Sequence, residues 1–124
     1  MPHPSEHGDV RRPLAAEEAE DLAETLRALA SPGRLRVLVE LLRGDRTVEE
    51  LAAAAELSPS ATSHHLRLLR SLRLVRARRD GRNVVYAVYD HHLVDLLAAV
   101  RHHHEHAHPP RTVDLPAARA SQPA

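Results

Sequence analysis

The stretch SPSATSHHLRLLR at residues 58–70 decides the fold. Ser58 followed by Pro59 is a typical helix start, because serine accepts a backbone hydrogen bond at the N-cap and proline suits the first helical position. Leucines recur after this start at helical spacing. The start follows directly on Leu57, the last apolar residue of another helical pattern. Two helices must therefore meet at a tight turn, which predicts a helix-turn-helix with this stretch as its second helix.

Three helical patterns precede this stretch. Leucines at helical spacing, with acidic residues on their N-terminal side, predict a first helix over residues 15–30. Ser31 is the expected N-cap of a second helix, which stops near Gly44. Thr47 and Glu50 have the spacing of a capping box, which opens a third helix that ends at the tight turn.

The pattern changes after the second helix of the helix-turn-helix. Two β-branched, partly alternating runs flank Asp80-Gly81, which predicts a β-hairpin. A last helix begins at Asp90 and ends at Pro109-Pro110, and its apolar residues are expected to face inward; these are Leu93, Leu96, Leu97 and Val100. The predicted fold class is mainly α with a β-hairpin wing, a winged helix-turn-helix. Because so small a chain cannot bury both amphipathic end helices alone, we expect a homodimer through the first and last helices.

Composition limits the classes of function. The chain has 124 residues, 43% of them apolar, and is expected to form one domain over 15–108, between a flexible arm at 1–14 and a disordered tail at 109–124. Cysteine is absent, which excludes disulfides, thiolate metal sites and cysteine nucleophiles. Without Trp or Phe, base-stacking platforms cannot be built. The sequence has neither an apolar run of membrane-spanning length nor a signal-peptide pattern, so we expect a cytoplasmic protein with no membrane partner.

Charge is segregated along the chain although the formal net charge is zero. All 17 basic residues are Arg. Residues 58–82 hold seven Arg against one acidic residue, Asp80, whereas residues 1–57 hold seven Arg against 12 acidic residues. A basic segment that covers the second helix and the hairpin indicates a surface for a polyanion. The alternative interpretation is a solvated helix face.

Double-stranded DNA is the predicted partner of this basic segment, and no small-molecule substrate is expected. In a winged helix-turn-helix the second helix lies in the major groove, where its N-terminal residues contact base edges. The residues so placed are Ser60, Thr62, Ser63 and His64. Contacts to phosphates and to an adjacent minor groove are expected from Arg67, Arg70, Arg78, Arg79 and Arg82. For single residues, the alternative is that the serines are merely exposed and that either His64 or His65 packs against the core.

The last helix is rich in histidine, since five of the 11 His of the chain lie between residues 102 and 108. His92 and His103 share a helix face, because eleven residues make three turns plus about 20°, and His106 lies about 40° to the other side of His92. Asp90 can turn to the same face. Because roughly 16 Å along the axis separates His92 from His103, one metal ion cannot bridge them within a chain. We expect Asp90 and His92 of one chain to meet His103 and His106 of an antiparallel copy; the alternative is a solvated low-complexity tract.

A competing motif lies in the same tract. Residues 104–108 match the pattern H-E-x-x-H of zinc hydrolases. Pro109 ends the helix at once, no third ligand follows, and a core this small leaves no room for a substrate cleft. We therefore do not expect an enzyme. A zinc hydrolase and a His-rich metal-storage or chaperone protein remain as alternatives of other classes.

Three segments resemble the ArsR/SmtB family of metal-sensing repressors: SPSATSHHLRLLR at 58–70, Leu74-Val75, and DGRNVVY at 80–86. The resemblance covers about residues 15–108. It implies a homodimeric winged helix-turn-helix that binds operator DNA, an imperfect palindrome, without metal and releases it when metal binds.

The spacing Asp90-x-His92-x10-His103-x2-His106 resembles the family's metal site on the last helix. Two positions depart from the family pattern. Residues 49–52, EELA, stand where other members have a Cys-rich motif, so that second kind of metal site is expected to be missing. Arg73 stands where the family usually has Gly.

Within the family, the residues around the metal site most resemble the nickel and cobalt sensors. That resemblance implies further ligands from the ends of the chain, for which His3, His7 and His108 are the candidates. The expected ligand is therefore Ni(II) or Co(II) in a six-coordinate site. Zn(II) is the alternative, because the four residues at the helix ends are enough for tetrahedral coordination.

Overall fold

The computed structural model describes residues 8–107. Along them lie α1 (Ala16–Leu29), α2 (Pro32–Leu42), α3 (Val48–Ala55), α4 (Pro59–Ser71), β1 (Val75–Asp80), β2 (Asn83–Val88) and α5 (His91–Ala107). The predicted order of five helices with a hairpin before the last one is confirmed. The first half of the predicted arm and the whole predicted tail lie outside the described residues.

Side-chain caps begin α2, α3 and α4 at the residues that the sequence predicts. The Ser31 hydroxyl accepts a hydrogen bond from the backbone N–H of Arg34, at 3.3 Å. Thr47 and Glu50 form both hydrogen bonds of a capping box, at 3.2 and 3.0 Å. Ser58 accepts from the N–H of Ala61 at 3.0 Å, directly after the turn that separates α3 from α4. Each cap satisfies a backbone donor that the helix itself leaves without a partner.

Two helices end in a left-handed residue that is not glycine. Glu56 after α3 has φ 59°, and Arg73 after α4 has φ 60°. After α4, the N–H of Arg73 donates to the Arg70 carbonyl and the N–H of Leu74 donates to the Leu69 carbonyl, both at 2.9 Å. This pair of hydrogen bonds is a Schellman motif, in which glycine is the usual left-handed residue. Arg73 therefore occupies a backbone position that glycine adopts with less steric cost.

Changing Arg73 to Gly should stabilise the fold by about 1 kcal/mol, because it removes the contact between Cβ and the backbone at positive φ. For a domain of this size the melting temperature should rise by about 4–8 °C, which thermal unfolding followed by circular dichroism measures. Ser71→Gly is the matched control: Ser71 is the last residue of α4, so glycine there should destabilise. A decrease in melting temperature for Arg73→Gly would contradict the expectation.

The hairpin is antiparallel and pairs Val75 with Val88 at its base and Asp80 with Asn83 at its tip. Gly81, with φ 65°, provides the positive φ that a two-residue hairpin turn needs. An isolated bridge on the other side of β2 joins Arg46 to Tyr86, each N–H donating to the carbonyl of the other residue, at 3.1 and 2.8 Å. This bridge anchors the hairpin to the segment between α2 and α3.

The core lies between α2, α3, α4 and the base of the hairpin. Its largest fully buried apolar side chains are Val37, Leu38, Leu51, Leu66, Leu69 and Val75. Leu93 and Leu97 of α5 and Leu29 of α1 complete the cluster. The core therefore holds the two helices of the helix-turn-helix at a fixed angle, with the wing beside them, and the predicted fold class is confirmed for the chain.

The apolar face of α5 is only half buried, which corrects one expectation. Leu93 and Leu97 are buried, but Leu96 and Val100, which were expected to face inward, are 38% and 56% exposed. The reason is that only one side of the apolar stripe of α5, the side with Leu93 and Leu97, packs against the core. On α1, Leu22 and Leu26 are similarly exposed, at 47% and 57%. Both α1 and α5 thus carry apolar side chains that are exposed to solvent in a single protomer.

Candidate DNA interface and metal-ligand residues

One face of α4 carries the predicted DNA contacts. Helical geometry places Ser60, Ser63, His64, Arg67 and Arg70 within about 120° of one another around the axis. All are exposed except Ser63, which is partly exposed. The two serines and His64 lie toward the N-terminal end of this face, and the two arginines lie toward its C-terminal end. The structure thus places these five predicted residues together.

Thr62 is the exception, and its predicted contact with a base is wrong. Its side chain is completely buried, and its Oγ1 donates a hydrogen bond to the carbonyl of Ser58 at 2.9 Å. The physical reason is its position, about 200° around the helix from Ser60, which points it into the core. A threonine four residues after a carbonyl commonly bonds back to it. Thr62 therefore supports the start of α4 and does not reach DNA.

The wing arginines Arg78, Arg79 and Arg82 are all exposed, as predicted. Arg78 forms an ion pair with Asp45 at 3.7 Å, so DNA would have to compete with a neighbouring carboxylate for this side chain. Within residues 8–107, no ion pair neutralises Arg79 or Arg82. A groove of about 500 Å³ separates α4 from the hairpin. Its lining includes Ser63, Arg67, Arg70 and Tyr86, so polar and basic groups face the space between helix and wing.

His65 connects α4 to the start of α2, a contact that the sequence did not reveal. A Cβ added at Gly33 would lie 2.8 Å from Nε2 of His65, so glycine is needed for the close approach of the ring. The Arg34 guanidinium lies 3.5 Å from Nδ1 of His65 and also donates to the carbonyl of Ala28 in α1. Burial, followed by the charges of Arg34 and His64, lowers the pKa of His65. Of the two adjacent histidines, His65 is the one that packs inward.

The free energy of unfolding should decrease in acid because His65 becomes protonated more readily in the unfolded chain than in the folded protein. Because the pKa of His65 in the folded protein lies below the usual value of about 6.5, the unfolded chain takes up the proton first as pH decreases through that value. The contribution of His65 to the free energy of unfolding is therefore complete above pH 6.5 and is lost below it. Thermal unfolding at pH 7.5 and 5.5 should show a smaller pH dependence for His65→Gln than for the wild type. His64→Gln, with an exposed ring, is the control; equal pH dependence in all three proteins would contradict the assignment.

The four predicted metal ligands lie at opposite ends of α5. Asp90 precedes the helix, and its Oδ1 accepts from the backbone N–H of His92 at 3.0 Å while its Oδ2 lies 3.4 Å from Nδ1 of the same residue. His103 and His106 are exposed near the C-terminal end. Since α5 is continuous, the distance of roughly 16 Å between His92 and His103 along its axis holds in one protomer. In residues 8–107, no group of three or more His, Asp or Glu is close enough to hold a metal ion.

Several predicted features lie at or beyond the limits of the described residues. His3, His7 and His108 are outside them, so their assignment as further ligands stays a prediction. The H-E-x-x-H motif is described only from His104 to Ala107, which form the exposed end of α5. No helix in the described part of the chain combines the length and the apolar character that crossing a membrane requires.

Comparison with known proteins places this geometry in a family. The model of the bacterial regulatory protein arsR family matches residues 31–77, from the cap of α2 into β1. The HTH-type transcriptional regulator NmtR of Mycobacterium tuberculosis is 46% identical over 96 residues, which cover 77% of this chain and 80% of that protein. The chain belongs to the arsR family. As an arsR-family protein it is a transcriptional regulator and not an enzyme, which overturns the hydrolase alternative.

Other arsR-family relatives extend the comparison. A transcriptional repressor SmtB homolog of Synechocystis is 47% identical over 90 residues, covering 73% of this chain and 68% of that protein. A cadmium resistance transcriptional regulatory protein CadC homolog of Staphylococcus aureus is 32% identical over 96 residues, covering 77% and 79%. The solution structure of a homodimeric winged helix-turn-helix DNA-binding domain from Mycobacterium bovis superposes with a TM-score of 0.67 at 31% identity, covering 80% of this chain and 98% of that one.

Proposed function

We propose that the protein is a metal-responsive repressor, a homodimer that binds operator DNA without metal and releases it when Ni(II) or Co(II) binds between the subunits. One observation carries the proposal: the carboxylate and imidazole of Asp90 and His92 are in contact at one end of α5, and His103 and His106 are exposed at the other end. Each end offers half of a ligand set that a single protomer cannot close.

The mode of DNA binding rests on the exposed face of α4 and on the wing. A dimer would present two such helices to successive major grooves, so the operator should be an imperfect palindrome with half-sites about one helical turn apart, or a multiple of that distance. The relatives support this part of the proposal, since the Mycobacterium bovis neighbour is described as a homodimeric DNA-binding domain. A repressor of this kind acts where the chromosome is, in the bacterial cytoplasm.

The second subunit completes the metal site in this proposal. Two antiparallel α5 helices would bring Asp90 and His92 of each protomer to His103 and His106 of its partner, giving two equivalent sites. The donor set fits a borderline divalent ion, because imidazole nitrogen and carboxylate oxygen both bind such ions. These residues of both protomers would together hold the metal ion, so a bound ion would link the two subunits. The residues themselves have one requirement: His92, His103 and His106 must be neutral to act as donors.

Nickel or cobalt is preferred over zinc because of the remaining donors. Four ligands are sufficient for tetrahedral zinc, whereas nickel prefers a higher coordination number. His3, His7 and His108 are the further imidazole donors of the sequence that could raise the coordination number. The cadmium-resistance name of the Staphylococcus aureus relative supports a metal ligand in general.

Metal binding and DNA binding are coupled in this proposal because the metal site lies between the two subunits that bind DNA. A site that spans the dimer interface changes how the two DNA-reading halves are held relative to each other, and any such change alters the free energy of DNA binding. Arg34 joins α1, one of the two helices of the proposed dimer interface, to α4, because it donates to the Ala28 carbonyl of α1 and lies 3.5 Å from the His65 ring of α4.

The experiment is an operator-binding titration followed by fluorescence anisotropy, with Ni(II), Co(II) and Zn(II) added in turn. Release by nickel or cobalt at lower concentration than by zinc is the expected result. Preferential release by zinc would make the protein a zinc sensor that uses the same four residues. Binding of metal without any change in operator affinity would contradict the proposed metal response.

DNA affinity should depend on Arg67. Changing Arg67 to Ala should weaken binding to operator and to unrelated DNA by about tenfold each and reduce the slope of log affinity against log salt by about 1, because one phosphate contact is lost. Arg36→Ala is the matched control, since it removes the same charge from an arginine of α2 that is paired with Glu56 at 3.0 Å. If the two variants bind DNA equally well, α4 is not the helix that contacts it.

A further inference from the structure

The rings of His102 and His106 are in contact near the end of α5. Their centroids lie 4.3 Å apart, and their planes are inclined by 56°. The two residues are four apart, so their side chains lie one above the other on the helix, and His106 leans back toward the preceding turn. Both are exposed. The structure therefore brings His106 together with a histidine of its own chain that the proposed intersubunit site does not use.

The two rings are close enough to each other for one metal ion to bind both. A metal–nitrogen distance of about 2.1 Å and a ring radius of about 1.1 Å place each centroid about 3.2 Å from the ion. Two imidazoles at a right angle then have centroids about 4.5 Å apart, and two at the tetrahedral angle about 5.2 Å apart. The observed 4.3 Å is nearest to the right-angle arrangement, which octahedral ions adopt.

We propose that His102 and His106 form a second metal site, contained within one protomer, that chelates a divalent transition-metal ion through two imidazole nitrogens. Water fills the other coordination positions, since both rings face solvent. The inference extends the proposed metal response and rests on it in one respect: His106 is also a ligand of the proposed intersubunit site, so the two sites exclude each other at this residue. A metal ion held by the pair would be a first, weaker state of loading in a single protomer.

The test is a titration of the full-length His92→Ala variant with Zn(II), followed by NMR of the histidine ring resonances. This change removes one imidazole of the intersubunit site and keeps Asp90, which caps α5 through the backbone N–H of residue 92. The resonances of His102 and His106 should shift together with one midpoint. Adding His102→Ala should raise the midpoint for His106 by about tenfold or more, because chelation is lost.

His103→Ala, added to His92→Ala, is the matched control and should leave the shared midpoint of His102 and His106 within twofold. Two results would overturn the proposal. One is a His106 resonance that shifts with the midpoint of His103 and not with that of His102; the other is an unchanged midpoint for His106 after His102→Ala is added. Amide resonances of the core report whether each variant is folded.

Failure of this proposal and failure of the proposed function are separable. Paired shifts of His102 and His106, in a protein whose wild type does not release DNA with metal, would support the protomer site and reject the repressor mechanism. Metal-induced release of operator DNA by the wild type, without paired shifts of His102 and His106, would support the repressor mechanism and reject the protomer site.

Discussion

Changing Leu26 to Glu should convert the dimer into a folded monomer and weaken operator binding by at least 100-fold. Leu26 is 57% exposed on α1, and Leu96 and Val100 are exposed on α5, so these side chains belong to the apolar surface available to a second copy. A carboxylate at residue 26 would have to be desolvated in that interface, which is costly without a partner. The loss in affinity is large because a monomer reads one half-site and forfeits the avidity of two.

Analytical ultracentrifugation at micromolar concentration measures the first effect, and anisotropy with a complete operator measures the second. Ala16→Glu is the matched control, since it adds the same carboxylate to the exposed first turn of α1, beside Glu17, where an acidic side chain suits the helix dipole. The variant Leu26→Glu should retain the wild-type helical content. A dimer of unchanged stability would show that α1 does not form the interface.

Changing His103 to Ala should leave operator binding without metal unaltered and raise the metal concentration needed for release by at least about 100-fold. Removing residues that only orient a ligand commonly costs 10- to 100-fold in metal affinity, so removing a ligand itself should cost more. His103 is exposed in the described protomer, so its removal leaves no cavity.

His104→Ala is the control for His103→Ala, because the neighbouring side chain points about 100° away around the helix. Its midpoint for metal-induced release should remain within a few-fold of that of the wild type. Equal responses of the two variants would indicate that the His-rich tract binds metal without a defined ligand set.

The sequence predicted those parts of the fold that depend on local chemistry. Ser31, Thr47 and Ser58 begin their helices as expected, since a cap requires only a hydroxyl and a backbone N–H two or three residues later. The hairpin at Gly81 was predictable for the same reason. For the candidate site, helical periodicity was sufficient to place Arg67 among the exposed residues of α4.

Contacts between distant elements were not predictable in this way. Thr62 is a different case: its residue type suits a base contact, but its position about 200° around α4 from Ser60 is enough to predict that it faces the core with Leu66 and Leu69. The contact of His65 with Gly33 joins residues in different helices, and neither residue alone signals it. Leu96 and Val100 fit an inward apolar stripe by periodicity, yet whether such a stripe faces its own core or another subunit depends on how α5 lies across the domain.

The bridge between Arg46 and Tyr86 leaves the hairpin with one open side. β2 has the single bridge to Arg46 on its far side, whereas the outer edge of β1 has no strand or bridge beside it within residues 8–107. An open edge invites pairing with other chains, and charged side chains discourage such pairing. β1 carries Arg76, Arg78 and Arg79 among its six residues. We therefore expect these three arginines of β1 to discourage aggregation through the exposed edge of the strand, in addition to any contact with DNA.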